Sequence, residues 1–154
     1  MKKKIIILFL LSVFKISFAQ KSNWQPIFFT DYTYSNKHIL KGGLEFILTN
    51  DTKTDTKFFL GTGYGTVTQN GNIRGLTDIH LTYNVGSLLF AKVGSSNYNT
   101  YYMIGISGFN LFDLGIGYSL PYKNANVKIQ GFTAGITFRI TNRKDVYRKL
   151  KIGF

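Results

Sequence analysis

Asp78 and His80 stand two residues apart, and in an extended chain that spacing turns both side chains to one face. A carboxylate beside an imidazole orients the ring for proton transfer, and a hydroxyl on a neighbouring strand would complete a hydrolytic relay. No Ser/His/acid spacing in the chain supplies that hydroxyl, and the one on the same face, Thr82, is a weak substitute. Metal chemistry is no better provided for. His38 and His80 are far apart, there is no cysteine, and no acidic loop has calcium-ligand spacing. The run Gly61-Thr62-Gly63-Tyr64-Gly65 imitates a phosphate-binding loop, but its period is two and no helix-forming stretch follows it. The expectation is a non-enzymatic protein without cofactor or metal.

Period two also governs the elements that carry these residues. From Gly131 to Ile140, Phe132, Ala134, Ile136, Phe138 and Ile140 alternate with Thr133, Gly135, Thr137 and Arg139. Such alternation makes a strand with one apolar and one polar face. Strands are expected at about 24–34, 39–48, 57–67, 75–83, 88–93, 100–107, 112–120 and 127–140. Eight is an even number, which brings both chain ends to one side of an antiparallel barrel. With those ends in the periplasm, the turns near 50–55, 84–86 and 108–110 lie inside and those near 35–37, 69–74, 94–99 and 121–126 outside. Asn70-Gly71 is the clearest turn signal.

Alternation alone does not choose between solvent and lipid as the apolar partner. Glycine does, because Gly61, Gly63, Gly65, Gly115 and Gly117 fall on the polar face, where a narrow barrel interior is crowded. Ile47 and Phe59 interrupt their strands' alternation, and Thr49 is expected on the inner face with Glu45. Phe28, Phe29, Tyr32, Tyr34, Tyr98, Tyr101, Tyr102, Tyr118 and Tyr122 fall near strand ends, where membrane barrels keep interfacial rings. The expected fold is therefore all-β, an eight-stranded antiparallel up-and-down transmembrane β-barrel. Its inward set is Glu45, Lys57, Asp78, His80, Lys92, Asp113, Lys128 and Arg139, expected to pair across the lumen because an unpaired charge there is costly.

The chain has a formal net charge of +12. Basicity of this size suggests nucleic acid, but the first residues argue for export instead. Lys2 to Lys4, an apolar run from Ile5 to Phe14, and Ser17-Phe18-Ala19 have the layout of a signal peptide cleaved near Ala19. The division expected is 1–19 signal peptide and 20–154 barrel, with a basic extension over 141–154. That extension carries Arg143, Lys144, Arg148, Lys149 and Lys151, read as a solvated tail or a contact for anionic envelope polymer. Tyr147, Leu150, Ile152 and Phe154 give it an apolar component able to pack under the barrel mouth or add a strand.

Taken from Trp24 to Ile140, the pattern resembles the small outer-membrane β-barrel proteins of Gram-negative, Bacteroidetes-type bacteria. The resemblance implies an outer-membrane location, contact with outer-membrane lipid and with the export and barrel-assembly machinery, and no nucleic acid. It also implies a terminal aromatic assembly signal, supplied by Phe138 or Phe154. The function expected is a structural or envelope-interaction role. The alternative is a soluble periplasmic or secreted β-barrel that binds a small hydrophobic ligand in an apolar cavity.

Overall fold

The alternating stretches form strands that close on themselves. The computed structural model describes residues 25–51, 54–69, 71–142 and 146–147. Its strands are β1 (Ile27–Tyr34), β2 (His38–Asp51), β3 (Thr56–Gln69), β4 (Asn72–Val85), β5 (Leu89–Ser96), β6 (Asn99–Gly108), β7 (Phe112–Pro121) and β8 (Gly131–Ile140). Each pairs antiparallel with the next, and β1 closes the barrel on β8 in the register Phe28 to Ile140. The fold is an eight-stranded antiparallel up-and-down β-barrel. The stretch read as a signal peptide, Asn70 of the turn signal, the five basic residues of the C-terminal extension and Phe154 lie outside the described residues.

Local chemistry sets the connections. Gly71, at φ 76°, makes the tight reversal between β3 and β4 in the left-handed region that glycine enters without strain. Asn84 is not a turn residue: it is buried within β4, and the chain reverses one step later at Gly86 and Ser87, which have φ of 59° and 55°. In β2 the register against β3 shifts between Ile47 and Thr49. The extra residue of this bulge flips the alternation. Ile47 is buried opposite Phe59, whereas Thr49 is exposed opposite Phe58, which overturns its expected place beside Glu45.

The barrel is inverted relative to a water-soluble domain. Asp31, Lys41, Glu45, Asp78, His80, Lys92, Asp113 and Arg139 are buried inside, while Ile79, Val93, Ile104, Ile116, Phe132 and Ile140 are exposed outside. Exposed large hydrophobic side chains outnumber buried ones. Phe28, Tyr32, Tyr34, Tyr102, Tyr118 and Tyr122 are on the outer surface, but Phe29 and Tyr101 point inward and are buried. Tyr98 packs against an apolar cluster at one mouth. Phe29 needs the absence of side chains on the adjoining strands, since a Cβ at Gly43 on β2 or Gly63 on β3 would fall within 2.9 Å of its ring.

Candidate functional site: a charged lumen closed at both ends

The inward charges meet as one bonded chain. Lys92 reaches across from β5 to Asp31 on β1 at 3.2 Å and donates to Thr137 Oγ1 at 2.6 Å. Asp31 also faces Lys41 at 3.6 Å, and Lys41 Nζ donates to Asp78 Oδ1 at 3.1 Å. Tyr101 Oη donates to the same Asp78 oxygen at 2.9 Å, and Lys41 Nζ sits 4.5 Å from the centre of the Tyr101 ring. His80 joins two carboxylates, with Nδ1 2.7 Å from Asp78 Oδ2 and Nε2 3.0 Å from Glu45 Oε1. Arg139 then bridges Glu45, at 2.5 Å through Nε, and Asp113, at 2.6 Å through Nη1. Its guanidinium stacks 4.6 Å from the centre of the Phe59 ring.

Each ring nitrogen of His80 lies within hydrogen-bond reach of a carboxylate, so both are engaged inside the network. Every carboxylate of the set also touches a permanent cation: Asp31 faces Lys41 and Lys92, Asp78 faces Lys41, and Glu45 and Asp113 face Arg139. That pairing makes a buried ionic layer tolerable, because desolvation outweighs attraction for any charge left unpaired. Thr82 Oγ1 is buried without a hydrogen-bond partner.

Glycine creates the slot for the imidazole. Gly61 pairs with His80 across β3 and β4, Phe29 meets the ring edge-on at 5.0 Å, and a Cβ at Gly61 would overlap it. Gly61→Ala is therefore expected to push His80 off its carboxylates and destabilise the barrel by about 1–3 kcal/mol, the usual range for overpacking. Urea unfolding of the refolded chain measures this. An unchanged midpoint would mean that the ring has room to move.

Each mouth is closed by the chain itself. At the end where β1 begins and β8 finishes, Lys57 pairs with Asp55, Ser87 Oγ donates to Asp55, and Asn110 Nδ2 donates to Ser87 Oγ at 2.7 Å and to the Val146 carbonyl at 3.1 Å. Three hairpin tips and the C-terminal extension are thereby laced together. Val146 is buried against Ile27, Ile47 and Phe59, and Tyr147 Oη donates to the Arg139 carbonyl at 3.0 Å. That part of the extension packs under the mouth. At the other end the segment 122–130 folds inward, burying Val127 and Ile129 on Ile39, Val67 and Leu76. Asn36 holds it by donating to the Lys128 carbonyl at 3.0 Å and accepting from the Gln130 amide at 3.1 Å.

Of the inward set read from the sequence, Glu45, Lys57, Asp78, His80, Lys92, Asp113 and Arg139 are buried in the interior. Lys128 is not; it is exposed on the segment preceding β8, because that segment forms the mouth closure and not the start of the strand. Sequence reasoning missed Asp31, Lys41 and Tyr101, and it put Thr137 on the polar face of the last strand without assigning it to the network. Lys41 had a signal, since it shares parity with Gly43 and Glu45. Among the described residues no group of three His, Cys, Asp or Glu side chains is placed to hold a metal ion. Comparison with protein families, curated proteins and solved structures gives no match for this chain.

Proposed function

We propose that this protein is a small integral outer-membrane β-barrel with a structural or envelope-interaction role and no catalytic activity. The observation that carries the proposal is the placement of the two faces: a paired charge network is buried in the interior, among rings such as Phe29, Phe59 and Phe90, while a belt of Ile, Leu, Val, Phe and Tyr covers the outside. In water such a belt invites aggregation, and in hydrocarbon it is the favoured surface. The closed ladder supports the reading as well, since a barrel leaves no strand edge unpaired in lipid. The export-like N-terminal residues agree with it. Outer-membrane lipid and the export and assembly machinery are the partners this reading needs. The soluble alternative requires an apolar cavity for its ligand, whereas the buried apolar side chains here, Phe90, Tyr101 and Met103 among them, pack against one another beside the ionic network.

The test is fractionation of the native host's envelope, followed by electrophoresis of the outer-membrane fraction with and without heating. Recovery there with a heat-dependent mobility shift is the expected result. Recovery as a soluble periplasmic or secreted protein with no shift would overturn the proposal.

A further inference from the structure

Among the described residues, exposed cations without an acidic neighbour gather at one end of the barrel. The mouth closed by 122–130 displays Lys37, Arg74, Lys123 and Lys128, and among the described residues none of these has an acidic partner. The described acids are either buried in the lumen or, as Asp51 and Asp55, sit at the opposite end. Just below the cationic mouth, the outer surface carries the exposed rings of Tyr32, Tyr34, Tyr64, Tyr118 and Phe132.

A cleft of about 240 Å³ opens at this mouth, lined by Arg74 together with Gln69, Asn72, Tyr98, Asn126 and Val127. One wall is the β3–β4 hairpin and the other is the folded-in segment, so the closure of the mouth builds the cleft. Its chemistry is specific. Arg74 offers a planar fork suited to phosphate, the amides of Gln69, Asn72 and Asn126 offer donors and acceptors to hydroxyls, and Tyr98 offers a ring edge or face.

We propose that this mouth binds the phosphorylated sugar headgroup of an anionic glycolipid, with Arg74 on a phosphate and Lys37, Lys123 and Lys128 gathering neighbouring phosphates. The inference rests on the membrane reading and adds the lipid class that the outer end recognises. A lipid is favoured over a free anion because the cations lie directly above the apolar belt, the height at which a headgroup sits when its acyl chains lie along the barrel.

The test uses the mature chain folded into phosphatidylcholine bilayer discs, doped either with bisphosphorylated lipid A or with phosphatidylglycerol. Mass spectrometry of the released protein counts the lipid it retains. Lipid A is expected to be kept in preference to phosphatidylglycerol, with retention falling as salt rises. Arg74→Gln should lower retention by about tenfold, as expected for loss of a charge-assisted bidentate contact. The combined Lys37→Gln, Lys123→Gln and Lys128→Gln variant should lower it too, whereas Lys149→Gln with Lys151→Gln should leave it unchanged. Undiminished retention in both mouth variants, loss only in the tail variant, equal retention of phosphatidylglycerol, or displacement by millimolar inorganic phosphate would each overturn the inference. The heat-dependent mobility shift of every variant separates the two failures. A parent chain that does not insert removes the membrane reading and this inference with it, while inserted variants that keep their lipid A remove this inference alone.

Discussion

Arg139→Ala is expected to be the most damaging single change in the lumen, costing about 3–5 kcal/mol, as measured when one partner of a buried ion pair is removed. The truncation strands two carboxylates at once, Glu45 and Asp113, both of which are fully desolvated and hydrogen-bonded to the guanidinium. It also empties the space over Phe59. Urea unfolding of chain refolded into vesicles, followed by the fraction that keeps its heat-dependent mobility, reads the loss. The triple variant Arg139→Met, Glu45→Gln and Asp113→Asn removes these three charges together, leaves Asp31 and Asp78 facing Lys41 and Lys92, and is expected to recover most of the deficit. A single variant within about 1 kcal/mol of the parent, the range of a surface pair, would show that water reaches these groups and that the lumen is wet.

Ile116→Arg is expected to produce the second large effect, from the opposite side of the wall. Ile116 is 54% exposed and lies in register between Ile104 and Ala134, near the middle of the outer belt. An arginine facing hydrocarbon at mid-depth costs a barrel about 2–4 kcal/mol, and the cost declines towards the interfaces. The comparison is Thr68→Arg, at an exposed position near the end of β3, which should be close to neutral. If both substitutions change the unfolding free energy by less than about 0.5 kcal/mol, the ordinary surface value, the outer belt faces water and the membrane reading fails.

Much of the architecture was legible because period two is a direct physical consequence of the pleat. In β3, β4 and β7 the faces read from the sequence are the faces observed, and Gly61 and Gly115 stand where a ring, His80 or Phe90, fills the space. Legibility failed where the period persists without a ladder. Over 127–130 apolar and polar residues still alternate, so the pattern imitates the start of β8. Gly131, at φ 94°, instead turns the chain and sends Val127 and Ile129 into the mouth. It failed again at the bulge near Leu48, where one extra residue reverses every later face and leaves no signature in composition. Asp31 was hidden among the rings of β1, where Phe28 and Phe29 are adjacent and only the structure tells which points inward. Partners were the least legible level, since Lys92 and Asp31 meet across the lumen from strands that never pair.

The pairing of β1 with β8 has a kinetic consequence. The two strands that close the ladder are the first and last in the chain, and Arg139 lies 94 residues from the Glu45 it bridges. Contacts of such long sequence separation pay their loop-closure entropy before any bond rewards it, which slows folding. Until the last strand docks, Glu45 and Asp113 have no guanidinium and Phe59 has no cation over it. Sealing the ladder and neutralising its interior are thus a single late event. An intermediate lacking only β8 retains both an open seam and an excess of buried negative charge, and so has reason to remain hydrated until the chain is complete.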